Sequence, residues 1–160
     1  MSVTQLSTAK SSVTSTAQAK PAFFNPETLE WIPWVMEGTH FKLFAVDAKT
    51  GGFTMLLRVD PGVKAPVHGH VGAVEGIVTK GWFAYGEHER GDVGHYICES
   101  GGVRHEPVSP EGTEMFAIAH GPIVGYNPDG SIAAVVDAKM LLAMAREAGQ
   151  ADHIDVVFDD

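Results

Sequence analysis

Two of the eight histidines in the sequence have a spacing that suits metal ligands. His68 and His70 are separated by a single residue, and on an extended strand this spacing places both imidazoles on one face, about 7 Å apart along the chain. Glu75 follows beyond Gly72, where the chain can bend and bring the carboxylate back. His105 comes later, after further predicted strands. Three neutral imidazoles with an optional carboxylate suit a divalent first-row metal that keeps open positions for substrate.

Short alternating segments surround these residues and predict an all-β domain. Apolar and polar residues alternate in two segments on either side of Lys49-Thr50-Gly51, a sequence that suits a hairpin connection. Glycine-containing turns separate the other segments, and such short, regularly spaced strands are typical of a sandwich or a barrel. The predicted strands are 40–48, 52–60, 73–81, 82–89, 95–99, 103–108, 114–120 and 123–126.

The C-terminal part of the sequence has a helical pattern instead. Apolar residues recur at positions 140, 141, 144, 145 and 148, a stripe at helical spacing. Asp137 precedes them as a candidate N-cap, and Gly149 follows them where a left-handed C-cap residue belongs. The sequence therefore predicts one amphipathic helix after the strands.

Length and composition exclude several classes of protein. The chain has 160 residues, is 44% hydrophobic and carries a net charge of −9, so it is a poor candidate for binding the phosphate backbone of nucleic acids. No apolar run approaches the ~20 residues of a membrane-spanning helix, and the N-terminus lacks a secretory apolar core. A single cysteine, Cys98, excludes an intrachain disulfide and a multi-cysteine zinc site. We expect a cytoplasmic protein that binds neither nucleic acid nor membrane.

The sequence divides into two parts. Residues 1–21 are rich in Ser, Thr and Ala and have no hydrophobic period, which predicts a mobile tail or an arm that orders against a partner subunit. Residues 22–160 form the predicted single domain. The aromatic segment 23–34 favours a homodimer or homotetramer in which a second chain pairs with it. The alternative is that this segment folds back across its own barrel.

Two stretches of the chain resemble the paired motifs of the cupins. Residues 62–81 resemble the first motif, G-x5-H-x-H-x(3,4)-E-x6-G, except that one residue is missing between Glu75 and the final glycine. Residues 94–105 resemble the second motif, G-x5-P-x-G-x2-H, with Ser100 at the position of the usual proline. The resemblance implies an all-β cupin fold, a jelly-roll barrel or double-stranded β-helix, with one C-terminal α-helix.

Residues 28–148 are similar to the 2,4'-dihydroxyacetophenone dioxygenase family, whose single-domain cupins are close in pattern to acetylacetone-cleaving dioxygenase. The resemblance implies a non-haem Fe(II) centre held by three histidines, which correspond to His68, His70 and His105. It also implies an enzyme that uses dioxygen to cleave a C–C bond of a ketone substrate, a diketone or an α-hydroxyketone, and incorporates both oxygen atoms. Zinc, nickel and manganese are alternative metals, because three histidines accept each of them.

Three further residues are candidates for catalysis. Glu99 lies six residues before His105, where the family tends to place a glutamate that acts through the ligands. Glu75 has the position of the general cupin glutamate and is either a fourth metal ligand or a hydrogen-bonded residue of the wall. One of these glutamates is expected to orient a ligand imidazole or to accept the substrate proton. His120 ends a strand that runs toward the predicted barrel mouth.

The substrate pocket is expected to be largely apolar. Its lining should come from alternate positions of the strands, because successive side chains face opposite sides of a sheet. The candidates chosen by this parity, besides His120, are Met55, Trp82, Phe83, Tyr85, Ile97, Phe116 and Ile118.

Two other functions fit the same residues. The first is a different metal-dependent cupin enzyme, an isomerase or a lyase, because the fold alone does not choose the reaction. The second is a non-catalytic cupin that binds a metal or a ligand. Similar cupin domains occur in zinc-dependent anti-sigma factors, but residues 1–30 are too short and too poor in helical pattern to form the sigma-binding domain that those proteins need.

Overall fold

The computed structural model of the protein describes residues 23–154 and Val156. The predicted tail, residues 1–21, lies outside this part of the chain. In the described part, a short 3-10 helix (Pro26–Thr28) and thirteen strands precede one α-helix, in agreement with the predicted all-β fold. The elements are β1 (Ile32–Pro33), β2 (Thr39–Val46), β3 (Phe53–Val59), β4 (Val63–Lys64), β5 (His68–His70), β6 (Val74–Ala84), β7 (Arg90–Asp92), β8 (Tyr96–Glu99), β9 (Arg104–His105), β10 (Val108–Ser109), β11 (Thr113–Ala119), β12 (Ile123–Tyr126), β13 (Ile132–Val136) and α1 (Ala138–Glu147).

The strands form two antiparallel sheets. The larger sheet has the order β1-β2-β3-β11-β6-β10-β4, with β7 and β8 also paired to β6. The smaller sheet has the order β13-β12-β5-β9. Both motif regions contribute to each sheet, because β6 pairs with β8 in the larger one and β5 pairs with β9 in the smaller one. Residues that are distant in the sequence therefore come together between the two sheets.

Side-chain alternation on β6 and β8 decides which residues face the interior. On β6, Val74 and Val78 are buried, whereas Ile77 is 47% exposed and the Glu75 side chain is 42% exposed. Successive residues of a strand face opposite sides of the sheet, so Glu75 lies on the outer face. Glu99 on β8 pairs with Val74 and shares its inward face.

Helix α1 packs against the larger sheet and completes the main core. Leu141 and Leu142 of the helix are almost completely buried, as are Phe41 and Leu43 of β2, and all four belong to one apolar cluster. Complete burial of a side chain of this size stabilises the fold by about 1.5–3 kcal/mol. The helix is therefore an integral part of the domain.

The ends of α1 have the residues that the sequence predicts. The Asp137 carboxylate accepts a hydrogen bond of 2.8 Å from a backbone N–H of the first turn. Gly149 has a φ of +67°, and the N–H groups of Gly149 and Gln150 donate to the carbonyls of Arg146 and Ala145, the bonding pattern of a Schellman motif. No helix within the described residues is long and apolar enough to cross a membrane.

The N-terminal aromatic segment lies against its own chain. β1 pairs with β2, with Ile32 opposite Phe41, and Ile32 belongs to the main core. The Phe24 ring packs edge-on against Phe44, with the ring centroids 5.5 Å apart. The described part of this segment thus has the folded-back arrangement that was the alternative interpretation, while a homodimer or homotetramer stays a prediction.

Candidate metal centre

Three histidines converge on the inner face of the smaller sheet. His68 and His70 lie on β5, and His105 lies directly opposite His68 on the neighbouring strand β9. Gly69 faces the other side of β5, where an added Cβ would lie only 2.9 Å from the carbonyl oxygen of Val103. The glycine between the two histidines therefore lets β5 and β9 pair closely while both imidazoles enter the interior.

The Nε2 atoms of the three histidines face one another. His105 Nε2 lies 3.1 Å from His70 Nε2 and 3.1 Å from His68 Nε2. One ring nitrogen of each histidine lies within 4.8 Å of the other two. Two nitrogens bound at right angles to one ion, each about 2.1 Å away from it, would be about 3.0 Å apart. The donor set therefore fits a divalent transition metal.

His68 holds its proton on the side away from the cluster. Its Nδ1 lies 2.9 Å from the carbonyl oxygen of Pro66, and because that oxygen can only accept a hydrogen bond, Nδ1 is the donor. Nε2 then presents a lone pair to the cluster, as metal binding requires. Pro66 thereby fixes both the tautomer and the orientation of the ring.

Burial disfavours the charged forms of His68 and His105. Desolvation lowers the pKa of His68, although its hydrogen bond to Pro66 acts in the opposite direction. Desolvation also lowers the pKa of His105 to about 4, while the negative charge of Glu99 partly opposes the shift. Because the neutral imidazole is the form that binds a metal, the environment favours a cation over protons near neutral pH.

Glu99 reaches the cluster from the larger sheet. Its Oε2 lies 2.9 Å from His70 Nε2, its Oε1 lies 3.9 Å from His105 Nε2, and the side chain is only 14% exposed. The family resemblance implies a glutamate that acts through the ligands. The structure places the carboxylate beside the same Nε2 atoms that face the centre of the cluster, so Glu99 can contact a bound metal or a substrate directly.

Glu75 and His120 lie together at the outer face of the larger sheet. Glu75 Oε2 is 2.7 Å from His120 Nε2, and Glu75 Oε1 accepts a hydrogen bond of 2.5 Å from the Tyr96 hydroxyl. The bond from Tyr96, followed by that from His120, lowers the pKa of Glu75, and the same contact raises the pKa of Tyr96 to about 12. This placement contradicts the prediction that Glu75 is a fourth metal ligand. It also contradicts the prediction that His120 acts in the pocket.

The outward position of Glu75 follows from alternation on its own strand. The chain bends at residues 71–72, as Gly72 suggested, and β6 begins at Val74. Val74 is buried and faces inward, so the next residue, Glu75, faces outward and away from the histidines.

The cluster adjoins an apolar cavity between the sheets, which we call the central cavity. Met55 and Phe83 line it as predicted, and Ile97 packs with Phe83 in a small apolar core. Tyr85 stacks on the His105 ring, with the centroids 5.0 Å apart.

The other predicted lining residues lie elsewhere. Ile118 pairs with Glu75 in the sheet ladder and shares its outward face with Phe116, two residues away on the same strand. Trp82 packs under the guanidinium of Arg90, with 3.9 Å between the charged carbon and the ring centroid. Alternation shows which residues of a strand share a face, but it does not show which face is the inner one. For this reason Phe116 and Ile118 on β11 were wrongly predicted to line the pocket.

The sequence reasoning missed many lining residues of the central cavity, among them two aromatic or sulfur-containing side chains from outside the sheets. Trp34 and Met36 come from the segment that follows β1, and both side chains line this cavity. The aromatic density of segment 23–34 was the only signal, and it indicated packing or subunit pairing. Which part of the barrel such a segment covers depends on long-range packing.

Comparison with known proteins identifies the fold. Residues 19–124 match the family model described as the ChrR Cupin-like domain, and no curated protein matches the chain. A protein of unknown function with a cupin-like fold from Ralstonia eutropha JMP134 is similar with a TM-score of 0.76 and 23% identity, over 91% of this chain and 98% of that chain. An RmlC-like cupin from the same organism has a TM-score of 0.73 and 24% identity, over 83% of this chain and 89% of that chain.

A third similar structure is that of a protein named for an enzymatic activity. An acetylacetone dioxygenase from Acinetobacter johnsonii has a TM-score of 0.72 and 18% identity, over 82% of this chain and 94% of that chain. At such identities, the three likenesses establish the fold alone. The all-β cupin fold with a C-terminal helix, which the paired motifs predicted, is confirmed.

Proposed function

The chain belongs to the family of ChrR Cupin-like domains, and from that premise we propose that it is a non-haem Fe(II) dioxygenase that cleaves a C–C bond of a β-diketone or an α-hydroxyketone. The observation that carries this proposal is the cluster of three imidazoles, His68, His70 and His105, beside an apolar cavity. The resemblance of residues 28–148 to the 2,4'-dihydroxyacetophenone dioxygenase family supports the same class of reaction.

The charge of the donor set favours an anionic, chelating substrate. His68, His70 and His105 would hold the metal through Nε2, and neutral imidazoles leave its positive charge to be offset by Glu99 or by an anionic substrate. When bound, Fe(II) would supply a Lewis acid for the substrate oxygens and a site at which dioxygen is activated. The enolate of a diketone, with two adjacent oxygen donors, matches this charge. The apolar wall excludes water and so strengthens the attraction between the site and the enolate.

Glu99 is the group that can take the proton from the substrate. Its Oε2 lies beside His70 Nε2, 2.9 Å away, and it therefore adjoins any substrate held at the cluster. A carboxylate that accepts the substrate proton becomes a neutral acid, so the enolate then provides the negative charge of the site. The role predicted for a glutamate as proton acceptor is assigned to Glu99, and Glu75 has no part in it.

The proposed reaction balances without another reductant. A β-diketone and dioxygen give a carboxylic acid and a 2-oxoaldehyde, and an α-hydroxyketone and dioxygen give two carboxylic acids. In both cases, one C–C bond breaks and the two oxygen atoms of dioxygen are retained in the products. The substrate itself provides the electrons, so the site needs a metal and an anionic substrate but no separate electron donor.

Metal loading followed by oxygen uptake tests the proposal. Protein loaded anaerobically with Fe(II) should consume equimolar dioxygen as it cleaves acetylacetone or 2,4'-dihydroxyacetophenone. The His105→Ala variant should lose both bound iron and oxygen uptake. Tightly held zinc with no oxygen uptake after exchange for iron would refute the dioxygenase function. Product formation without dioxygen in the zinc or manganese form would instead indicate an isomerase or a lyase.

A further inference from the structure

His105 is held less firmly by its own sheet than the other two histidines of the cluster. It lies on β9, a strand of two residues at the end of the smaller sheet, and in the described part of the chain β9 pairs only with β5. β5, which carries His68 and His70, lies between β9 and β12 and pairs with both. Any support on the free side of β9 must therefore come from outside the smaller sheet.

The His105 ring also lacks a hydrogen bond of the kind that orients His68. Pro66 fixes the His68 ring at Nδ1, and metal-binding histidines generally donate their second ring N–H to such an acceptor. Among the described residues, the hydrogen-bond partners of the His105 ring are the Nε2 atoms of His68 and His70, and a bound metal would take their place. Within this part of the chain, the orientation of His105 depends on its packing.

Tyr85 presents a flat surface to this ring. The rings of Tyr85 and His105 are stacked with an angle of 30° between their planes and 5.0 Å between their centroids, a favourable geometry for an aromatic pair. The Phe83 ring meets Tyr85 edge-on at 5.3 Å, and the Tyr85 N–H donates to the carbonyl of Glu89 across the β6–β7 hairpin. The larger sheet therefore holds Tyr85 in place.

The path of the chain brings the two rings together. Tyr85 follows Ala84, the last residue of β6, and Ala84 pairs with Val108 on β10. His105 precedes Val108 by three residues, and between them the chain passes from the smaller sheet to the larger one. The stacked pair of Tyr85 and His105 therefore connects the two sheets at the metal site.

We propose that Tyr85 is a positioning residue that keeps the His105 imidazole turned toward the metal through the face of its aromatic ring; this inference rests on the metal site of the proposed function and not on its reaction. The bond between Cβ and the ring of a histidine has a broad torsional preference. Without a flat surface beside it, the His105 ring can rotate and turn Nε2 away from the other two histidines. The Tyr85 hydroxyl is buried and has no hydrogen-bond partner among the described residues, so the ring is required and the hydroxyl is not.

Cobalt binding by variants of the full chain tests this role, because the visible absorption of Co(II) depends on the number and arrangement of its ligands. Tyr85→Phe keeps the ring and should leave the Co(II) spectrum unchanged and the Kd within about twofold of the wild-type value. Tyr85→Leu removes the ring and should change the spectrum and raise the Kd about tenfold or more, as loss of a group that orients a metal ligand does. Phe44→Leu is the matched control, since it removes a ring that is stacked on Phe116 at the outer face. It should change neither the spectrum nor the Kd.

The outcomes separate the ring from the hydroxyl and from general destabilisation. A wild-type Kd in Tyr85→Leu, or equal weakening by Tyr85→Leu and Phe44→Leu, would overturn the proposed role. Equal weakening by Tyr85→Phe and Tyr85→Leu would assign the effect to the hydroxyl and overturn it as well. If Tyr85→Leu fails to fold, Tyr85→Met provides the same test, because its flexible side chain fills the space without a flat surface.

Metal binding and oxygen uptake by the wild-type protein distinguish this inference from the proposed function. Wild-type protein that binds Co(II), but consumes no dioxygen with Fe(II) and a diketone, would refute the dioxygenase function and leave the role of Tyr85 intact. Wild-type protein that binds no Co(II) would overturn both proposals.

Discussion

Replacement of Glu99 by glutamine tests whether the carboxylate beside the histidine cluster acts on the metal. The change keeps the size of the side chain and removes a negative charge that lies 2.9 Å from His70 Nε2. Groups that support metal ligands contribute about 10–100-fold to metal affinity, which corresponds to about 1.4–2.7 kcal/mol. A carboxylate in direct reach of the metal should contribute at least as much, so Glu99→Gln should raise the metal Kd by about 10–100-fold or more.

Glu99→Gln should also change the pKa values of two imidazoles, and this change by itself favours metal binding. The charge of Glu99 raises the pKa of His105 and of His68, so both pKa values should fall further in Glu99→Gln. Protons then compete less with the metal than in the wild-type protein. A loss of metal affinity at pH 7 must therefore come from the missing carboxylate.

Titration of the metal-free protein with Zn(II) against a chelating indicator measures the affinity. Glu75→Gln is the matched control, because it makes the same replacement in a glutamate that is 42% exposed on the outer face. We expect it to change the metal Kd by less than about twofold, as surface substitutions usually do. The reasoning is refuted if Glu99→Gln binds zinc as tightly as the wild-type protein, or if the two variants lose affinity equally.

The other predictions concern pH, the helix cap and the tail. Because the pKa of His105 falls from the ordinary value of 6.5 to about 4 on folding, the unfolded chain binds more protons between these values. The metal-free protein should therefore lose roughly 1–3 kcal/mol of stability as the pH falls from 6.5 to 4; equal urea midpoints at pH 7 and pH 4.5 would contradict this. Asp137→Ala should lower the free energy of unfolding by about 1 kcal/mol, and Asp137→Asn by much less; urea titration of both variants measures the difference, and equal losses would exclude capping as the cause. If the tail orders against a partner subunit, a chain that lacks residues 1–21 should form particles with fewer subunits, as measured by light scattering. An unchanged number of subunits would reject that role.

The local features of this fold could be predicted because nearby residues determine them. Asp137 and Gly149 sit at the ends of the helix because a side-chain acceptor is needed at its start and a left-handed residue just after its end. The spacing of His68 and His70 places both rings on one face for any extended strand. These arguments need no knowledge of the rest of the molecule, and the structure has the predicted features.

The inner and outer faces of the sheets could not be assigned in the same way. Phe116 and Ile118 form one face of β11 and the smaller residues Ala117 and Ala119 form the other, and it is the smaller ones that are buried. Hydrophobicity alone favours the wrong face here, because the interior holds a cavity and the outer face packs aromatic rings such as Phe44 against Phe116. Which face of a strand becomes the inner one depends on the curvature of the whole sheet.

The place of Trp34 depends on even longer-range packing. Its aromatic side chain lines the central cavity, although the segment that carries it precedes every strand that holds a histidine of the cluster. No spacing rule connects Trp34 with His68. The walls that shape the substrate site are therefore less predictable than the metal ligands themselves.

The facing of β6 protects the charge of the histidine cluster. Val74 and Val78 are buried on the inner face of this strand, so Glu75 stays on the opposite face. A slip of one residue would exchange the two faces of the strand, and it would bring the Glu75 carboxylate inward only by exposing both valines and breaking the contacts of Glu75 with Tyr96 and His120. The apolar core of the larger sheet therefore keeps a second carboxylate away from the three imidazoles.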